Sequence, residues 1–271
     1  MKNFANKVVI ITGASSGIGS ALAYEFNKLG ACLSLAARRI DRLELLKEQL
    51  ENSGGKVLVT QTDITDETHC CQLIDRTLEH FGSIDILVNN AGISMRAMFA
   101  DTELVVLKRL MDVNFWGTVY CTKYALPHLL KSKGVVVGVS SIAGFHGLPG
   151  RSGYSASKFA MHGFLETLRI EHLKSGLHVM VIAPGFTASE IRENALLSDG
   201  SMQGETPREE EKLMSPERVA KILIRSIRRR KRNKIVTFSG QIIALFQRII
   251  PEQIDWLIYK NMANEPNSPF K

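Results

Sequence analysis

Short apolar runs alternate with helical patterns along the whole chain, and that alternation restricts the fold more than any other feature. The runs lie at residues 8–12, 33–37, 57–61, 84–88, 135–140, 178–183 and 235–238. Most are continuous and β-branched, as strands buried on both faces of a parallel sheet are. The segments between them carry helix signals. Asp41 and Glu44 have capping-box spacing. Thr65 and Asp66 precede an amphipathic stretch that stops at Gly82, as a helix C-terminus does. Ser215, Pro216 and Glu217 form a cap, a proline at the first helical position and an acid in the first turn. The pattern predicts an α/β fold, a doubly wound parallel sheet of about seven strands with helices on both faces. Such sheets bind ligands beyond the carboxyl ends of their strands, where the strand order reverses. The longest polar stretch, "SDGSMQGETPREEE" at 198–211, predicts a loop.

With 271 residues and 45% hydrophobic content, one core suffices. The expectation is a single domain over residues 1–271, with a basic, amphipathic C-terminal extension at about 227–271. No apolar run reaches about 18 residues, so no spanning helix is expected. The N-terminal stretch lacks the apolar core and cleavage site of a secretion signal, which predicts a cytoplasmic protein. Cys32, Cys70, Cys71 and Cys121 show no CxxC spacing and read as buried thiols of a reducing compartment. The seven histidines form no HExxH or paired-ligand motif, so no metal site is expected. The net charge of +7 is uneven: residues 216–271 carry 12 Lys+Arg against 4 Asp+Glu, and the other 215 carry 22 against 23.

"TGASSGIG" at 12–19 follows the first strand and opens a helix. Its glycines allow a tight turn with bare backbone, so amides at a helix N-terminus meet a diphosphate. Gly13, Ser15, Ser16, Gly17, Ile18 and Gly19 are therefore candidate cofactor residues. The second strand ends "AARR", where a dinucleotide-binding strand usually offers an acid to the adenosine ribose. Arg38 and Arg39 suit a 2′-phosphate instead, which favours NADP(H) over NAD(H). Asp63 and Ile64, after the third strand, are candidates for the adenine; Asp63 also reads as a simple loop acid or capping partner. Further on, Tyr154 and Lys158 in "YSASK" share one helical face, a turn apart.

These motifs, with "NNAG" at 89–92, Asn114 in "MDVNFWG", "SS" at 140–141 and "PG" at 184–185, resemble the short-chain dehydrogenase/reductase family. The match runs from about residue 7 to residue 189, and the NADP-preferring, hydroxysteroid dehydrogenase-like members are the most similar in character. The resemblance implies a Rossmann-type fold and a nicotinamide-dependent oxidoreductase. It implies that Asn89, Asn90, Ala91 and Gly92 support the sheet and line the adenosine side of the cofactor. It implies a catalytic set of Asn114, Ser141, Tyr154 and Lys158, with Ser141 chosen over Ser140 because it stands thirteen residues before the tyrosine. Asn114 would hold a water that links Lys158 to solvent. Pro184, Gly185, Thr187 and Ser189 would lie near the nicotinamide carboxamide. Homodimers or homotetramers would form through the helices holding Asn114 and Tyr154.

In carbonyl reduction Tyr154 would donate a proton to the nascent alkoxide. The ammonium of Lys158 would lower the phenol pKa from about 10 and grip the nicotinamide ribose. Ser141 would hydrogen-bond the substrate oxygen. Ser141, Phe145, His146, Leu148, Tyr154 and Phe186 are candidate substrate contacts, with Met95 a further wall. A mostly apolar pocket suits a hydrophobic ketone, aldehyde or secondary alcohol. His146 reads better as a surface-loop residue than as a catalytic one. The C-terminal "QIIALFQRIIPEQIDWLIYK" has apolar helical faces broken at Pro251. It reads either as a helix pair packed on the core or a partner, or as a segment lying on a membrane surface. The basic run "IRRRKRNK" at 227–234 lacks interleaved aromatics, so nucleic-acid binding is not expected. A non-catalytic NADP-binding regulatory or membrane-associated interaction protein of the same fold is the alternative function.

Overall fold

Strands form where the β-branched runs lie: β1 Val8–Thr12, β2 Cys32–Ala37, β3 Lys56–Gln61, β4 Ile86–Asn89, β5 Val135–Val139 and β6 His178–Ala183. The structure is a computed structural model and describes residues 3–206, 213–266 and 268–270. A seventh strand, β7, covers Asn233–Ile235, two residues earlier than its apolar run predicts. The run ends early because the Thr237 hydroxyl accepts from the Gly240 amide at 3.3 Å and starts a helix at Phe238.

All seven strands are parallel, in the order β3-β2-β1-β4-β5-β6-β7. The order reverses between β1 and β4, which pair with Val9 opposite Ile86 and Ile11 opposite Val88. The helices are α1 Gly17–Asn27, α2 Ile40–Glu51, α3 Glu67–Phe81, α4 Leu104–Met111, α5 Gly117–Ser132, α6 Ser152–Glu171, α7 Pro216–Arg228, α8 Phe238–Phe246 and α9 Pro251–Ala263. They divide by the two-residue period of the strands. Val9, Ile11, Leu33 and Leu35 pack against Leu22 and Phe26 of α1, Leu43 of α2 and Leu223 of α7. Ile10, Leu87, Val136 and Val179 point the other way, onto Leu73 of α3, Leu129 of α5 and Leu165 of α6. Leu22, Leu33 and Leu73 are fully buried, and each such side chain stabilises the fold by about 1.5–3 kcal/mol.

The helix ends follow local chemistry. The Asp66 carboxylate accepts from the amides of Thr68 (2.8 Å) and His69 (3.3 Å) to start α3, and Gly82 ends it in the left-handed region. Ser215 caps α7 ahead of Pro216. The capping box expected at Asp41 and Glu44 does not form. α2 begins at Ile40, so Asp41 lies inside its first turn, and Arg39 takes the cap position without a side-chain cap. Between α4 and α5 the chain takes one wide, π-helical turn, Asp112–Trp116, which carries the buried Asn114.

The C-terminal segment folds back over the carboxyl end of the sheet. Ile254, Ile258 and Met262 of α9 are buried and pack with Leu148, Ile243 and Phe270. The opposite surface exposes Leu245, Ile249, Trp256 and Leu257. Among the described residues, no helix is long and apolar enough to cross a membrane. Within the basic run, Arg228 at the end of α7 and Arg229, Arg230, Lys231 and Arg232 between α7 and β7 are exposed. In the polar stretch after residue 198, Asp199 accepts from the amide (2.9 Å) and hydroxyl (2.6 Å) of Ser201; residues 207–211 of that stretch lie outside the described residues.

Candidate active site

A cleft of about 730 Å³ opens at the carboxyl ends of the strands, across the point where their order reverses. The glycine turn forms one wall. Gly13 has φ +65°, and a Cβ there would lie 2.8 Å from the Ala91 Cα. A Cβ on Gly19 would lie 2.2 Å from the Gly13 carbonyl oxygen, so the turn closes only without side chains. Asn90 fastens it, its amide donating to the carbonyls of Thr12 (2.9 Å) and Gly13 (3.2 Å). The Thr12 hydroxyl in turn accepts from the amides of Asn90 and Ala91, both at 3.1 Å. The Ser16 side chain makes no capping bond, which leaves the first-turn amides of α1 available to an anion. Ser15, Ser16, Gly17 and Ile18 all line the cleft, as do Asn90, Ala91 and Gly92. Asn89 does not; it is buried and donates to Thr122 at 3.0 Å, tying β4 to α5.

Arg38 and Arg39 sit at the end of the cleft nearest β2, with Asp63 and Ile64 beside them. Arg39 reaches back over the glycine turn and donates to the hydroxyls of Ser15 (3.2 Å) and Ser16 (3.0 Å). Asp63 accepts from the amide (3.0 Å) and hydroxyl (2.8 Å) of Thr65, so one carboxylate oxygen is engaged in its own loop.

At the other end, Ser141, Tyr154 and Lys158 line the same cleft. Tyr154 and Lys158 stand one turn apart on α6 and are both buried. The Lys158 ammonium donates to the Val139 carbonyl at 3.0 Å and lies 5.8 Å from the Tyr154 ring centroid. Burial pushes the Lys158 pKa down to about 8. Burial also pushes the Tyr154 hydroxyl up, against a hydrogen bond with Ser141 and the Arg151 charge, and its pKa ends above the ordinary value. This reverses the expected direction: the ammonium points to a carbonyl, and desolvation of the phenol outweighs the neighbouring contacts. The result is a phenol held in its protonated form.

Asn114 is fully enclosed. Its side chain accepts from the Ile93 amide at 2.9 Å and donates to the Ile93 carbonyl (3.0 Å) and the Ser157 hydroxyl (2.9 Å). Gly92 gives the room: a Cβ there would lie 3.0 Å from Asn114 Oδ1 and 3.3 Å from Lys158 Nζ. Asn114 thus clamps the backbone that runs past the lysine.

Pro184, Gly185, Phe186, Thr187 and Ser189 line the cleft along the rim that follows β6, and Leu148 adds an apolar wall. Phe145 and His146 do not line this cleft. Phe145 packs edge-on against the His162 ring, with centroids 4.5 Å apart. His146 bonds Gln247 (Nδ1 to Oε1, 3.0 Å) and Asp255 (Nε2 to Oδ1, 3.1 Å), joining its loop to the C-terminal segment. Met95 is buried behind the wall, in the cluster that holds Tyr154. Walls that sequence reasoning missed come from the C-terminus: Ile243, Ile258, Asn261 and Met262 close the cleft from above. Also missed is the contact of His162 Nε2 with the Ser140 hydroxyl at 2.6 Å, which backs the strand end before Ser141. Burial, with the Lys158 charge, pushes the His162 pKa down to about 4.

The family model described as short chain dehydrogenase matches residues 7–199. The chain is 39% identical to the 11-beta-hydroxysteroid dehydrogenase A of Arachis hypogaea, over 98% of this chain and 79% of that one. Among solved structures it resembles a short chain dehydrogenase/reductase from Burkholderia phymatum in complex with NAD. That likeness has TM-score 0.81 and 23% identity, over 95% of this chain and 97% of the other. An alcohol dehydrogenase from Thermococcus sibiricus complexed with 5-hydroxy-NADP is similar at TM-score 0.75 and 24% identity, over 85% and 94%. The motifs, the sheet order and these matches agree: the chain belongs to the short chain dehydrogenase family of oxidoreductases.

Proposed function

We propose that the protein is an NADP(H)-dependent oxidoreductase that interconverts a carbonyl and a secondary alcohol on an apolar small molecule. One observation carries the reading: a protonated, buried Tyr154, with Ser141 and Lys158, shares a cleft with an uncapped glycine turn and two arginines. The turn fits a dinucleotide, because every position where a Cβ would close it is glycine. When bound, the dinucleotide supplies the hydride. Gly13, Ser15, Ser16, Gly17, Ile18 and Gly19 take its diphosphate, and Arg38 and Arg39 take a 2′-phosphate. Asp63 and Ile64 flank the adenine, Asn90, Ala91 and Gly92 the ribose side, and Pro184, Gly185, Thr187 and Ser189 the carboxamide.

Tyr154 gives its proton to the forming alkoxide, and Ser141 donates a hydrogen bond to the same oxygen. Lys158 holds positive charge behind the phenol and binds ribose hydroxyls. Asn114 fixes the backbone against which the lysine lies. Leu148, Phe186, Ile243, Ile258 and Met262 make the substrate end apolar. A panel of apolar ketones, incubated with NADPH and NADH side by side, tests the reading. Ketone-dependent oxidation of NADPH is expected; a protein that consumes neither coenzyme with any ketone would be something else.

Two surfaces extend the proposal. Trp116 at the head of α5 and Phe159 on α6 are exposed, 43% and 46%, and support a dimer or tetramer, read by sedimentation equilibrium. Leu245, Ile249 and Trp256, 58–67% exposed, with Lys260 lying 3.4 Å over the Trp256 ring, support contact with a lipid surface. Leu245→Glu with Ile249→Glu is expected to lower co-flotation with anionic liposomes about ten-fold, each apolar side chain being worth about 1 kcal/mol or more. Unchanged flotation would remove the membrane role.

A further inference from the structure

The acid missing from the end of β2 is supplied from elsewhere. Glu190 lies on the rim after β6, 151 residues from Arg39 in sequence. Its two carboxylate oxygens take one arginine each: Arg39 at 2.8 Å and Arg42 at 2.6 Å. Burial pushes the Glu190 carboxyl up, and hydrogen bonds from Arg42 and Arg39 outweigh it, so its pKa ends below the ordinary carboxylate value. The rim crosses the glycine turn closely enough that a Cβ on Gly17 would lie 3.1 Å from the Ser189 Cβ. Glu190 therefore reaches over the diphosphate turn to the guanidinium that also touches Ser15 and Ser16.

We propose that Glu190 is a specificity-determining residue that competes with the coenzyme 2′-phosphate for Arg39. The proposal rests on the assignment of Arg39 to a 2′-phosphate. A carboxylate and a phosphate monoester offer the same guanidinium the same kind of partner. The side chains of Arg39, Glu190 and Arg42 are 41%, 34% and 43% exposed, so the bridge is a water-accessible one of the weak kind. A dianionic phosphate displaces it, and pays a repulsion if the carboxylate stays near. A nucleotide without that phosphate leaves the bridge in place. Glu190 thus narrows the preference for NADP over NAD that the two arginines would otherwise give.

The test needs no turnover. Titration calorimetry with adenosine 2′,5′-bisphosphate and adenosine 5′-monophosphate compares the wild type with Glu190→Gln and Glu190→Ala, their folding checked by thermal melts. Both variants are expected to bind the bisphosphate about three- to ten-fold more tightly, with the monophosphate unchanged within about two-fold. Bisphosphate affinity that stays level or falls in both variants overturns the proposal. If the wild type prefers the bisphosphate and the variants do not raise that preference, only the role of Glu190 fails. If neither wild type nor variants prefer it, the assignment of Arg39 to the 2′-phosphate fails as well.

Discussion

Tyr154→Phe is expected to bind NADPH within about two-fold of the wild type and to lose about 10²–10⁴-fold in turnover. The phenyl ring keeps the packing of its cluster, which includes Met95, Ala97, Leu110, Ala143 and Leu196. Only the hydroxyl is removed, and with it the proton donor and the partner of Ser141. One hydrogen bond is lost with it, so the melting point should change by no more than that bond's worth, about 0.5–1.5 kcal/mol. Coenzyme binding by fluorescence titration and ketone reduction by absorbance separate the two effects. Full activity in this variant would remove Tyr154 from the chemistry.

Lys158→Met is expected to lose activity by a similar factor, about 10²–10⁴-fold, and also to weaken coenzyme binding. Its pH behaviour is more telling. The Lys158 pKa is pushed down to about 8 by burial, so the ammonium persists below about pH 8 and disappears above it. The Tyr154 hydroxyl, pushed above its ordinary value, stays protonated through that range. Wild-type kcat/KM for ketone reduction should therefore fall as pH rises through about 8, and the residual rate of Lys158→Met should show no such limb. Stability follows the same group with the opposite sense. The unfolded lysine holds its proton up to 10.5 and the folded one only to about 8, so this residue adds stability as pH rises between those values. Lys158→Met should abolish that increment. A wild-type profile flat from pH 7 to 10 would show that the ammonium takes no part in the rate.

Much of the fold was legible because its signals are local. Buried parallel strands must be apolar on both faces, and all seven runs became strands within two residues of their expected starts. Gly13, Gly17 and Gly19 announce the turn because no other residue fits it. Tyr154 and Lys158 are set side by side by one helical turn. The misses are long-range contacts that no spacing encodes. Glu190 meets Arg39 across 151 residues, and Ile258 and Met262 of α9 cover a cleft that also holds Gly13 and Tyr154, far away in sequence. Phe145 looked like a pocket wall because it is apolar and follows Ser141, yet His162 offers it a ring to pack on. The C-terminal segment left open whether it packs on the fold, caps the pocket or meets a membrane, because both faces of α9 are apolar. The structure packs Ile254 and Ile258 inward, Ile258 over the cleft, and leaves Trp256 and Leu257 exposed.

The central claim is that this cleft moves a hydride between a nicotinamide and a carbonyl carbon with Tyr154 as proton donor. NADPH carrying two deuteriums at the nicotinamide C4, incubated with the best ketone of the panel, measures this directly. The account predicts an alcohol with one deuterium on the carbinol carbon, formed in step with coenzyme consumption, and formed at least about 10²-fold more slowly by Tyr154→Phe. Coenzyme consumed without label in the alcohol, or labelled alcohol formed equally well by Tyr154→Phe, would contradict it.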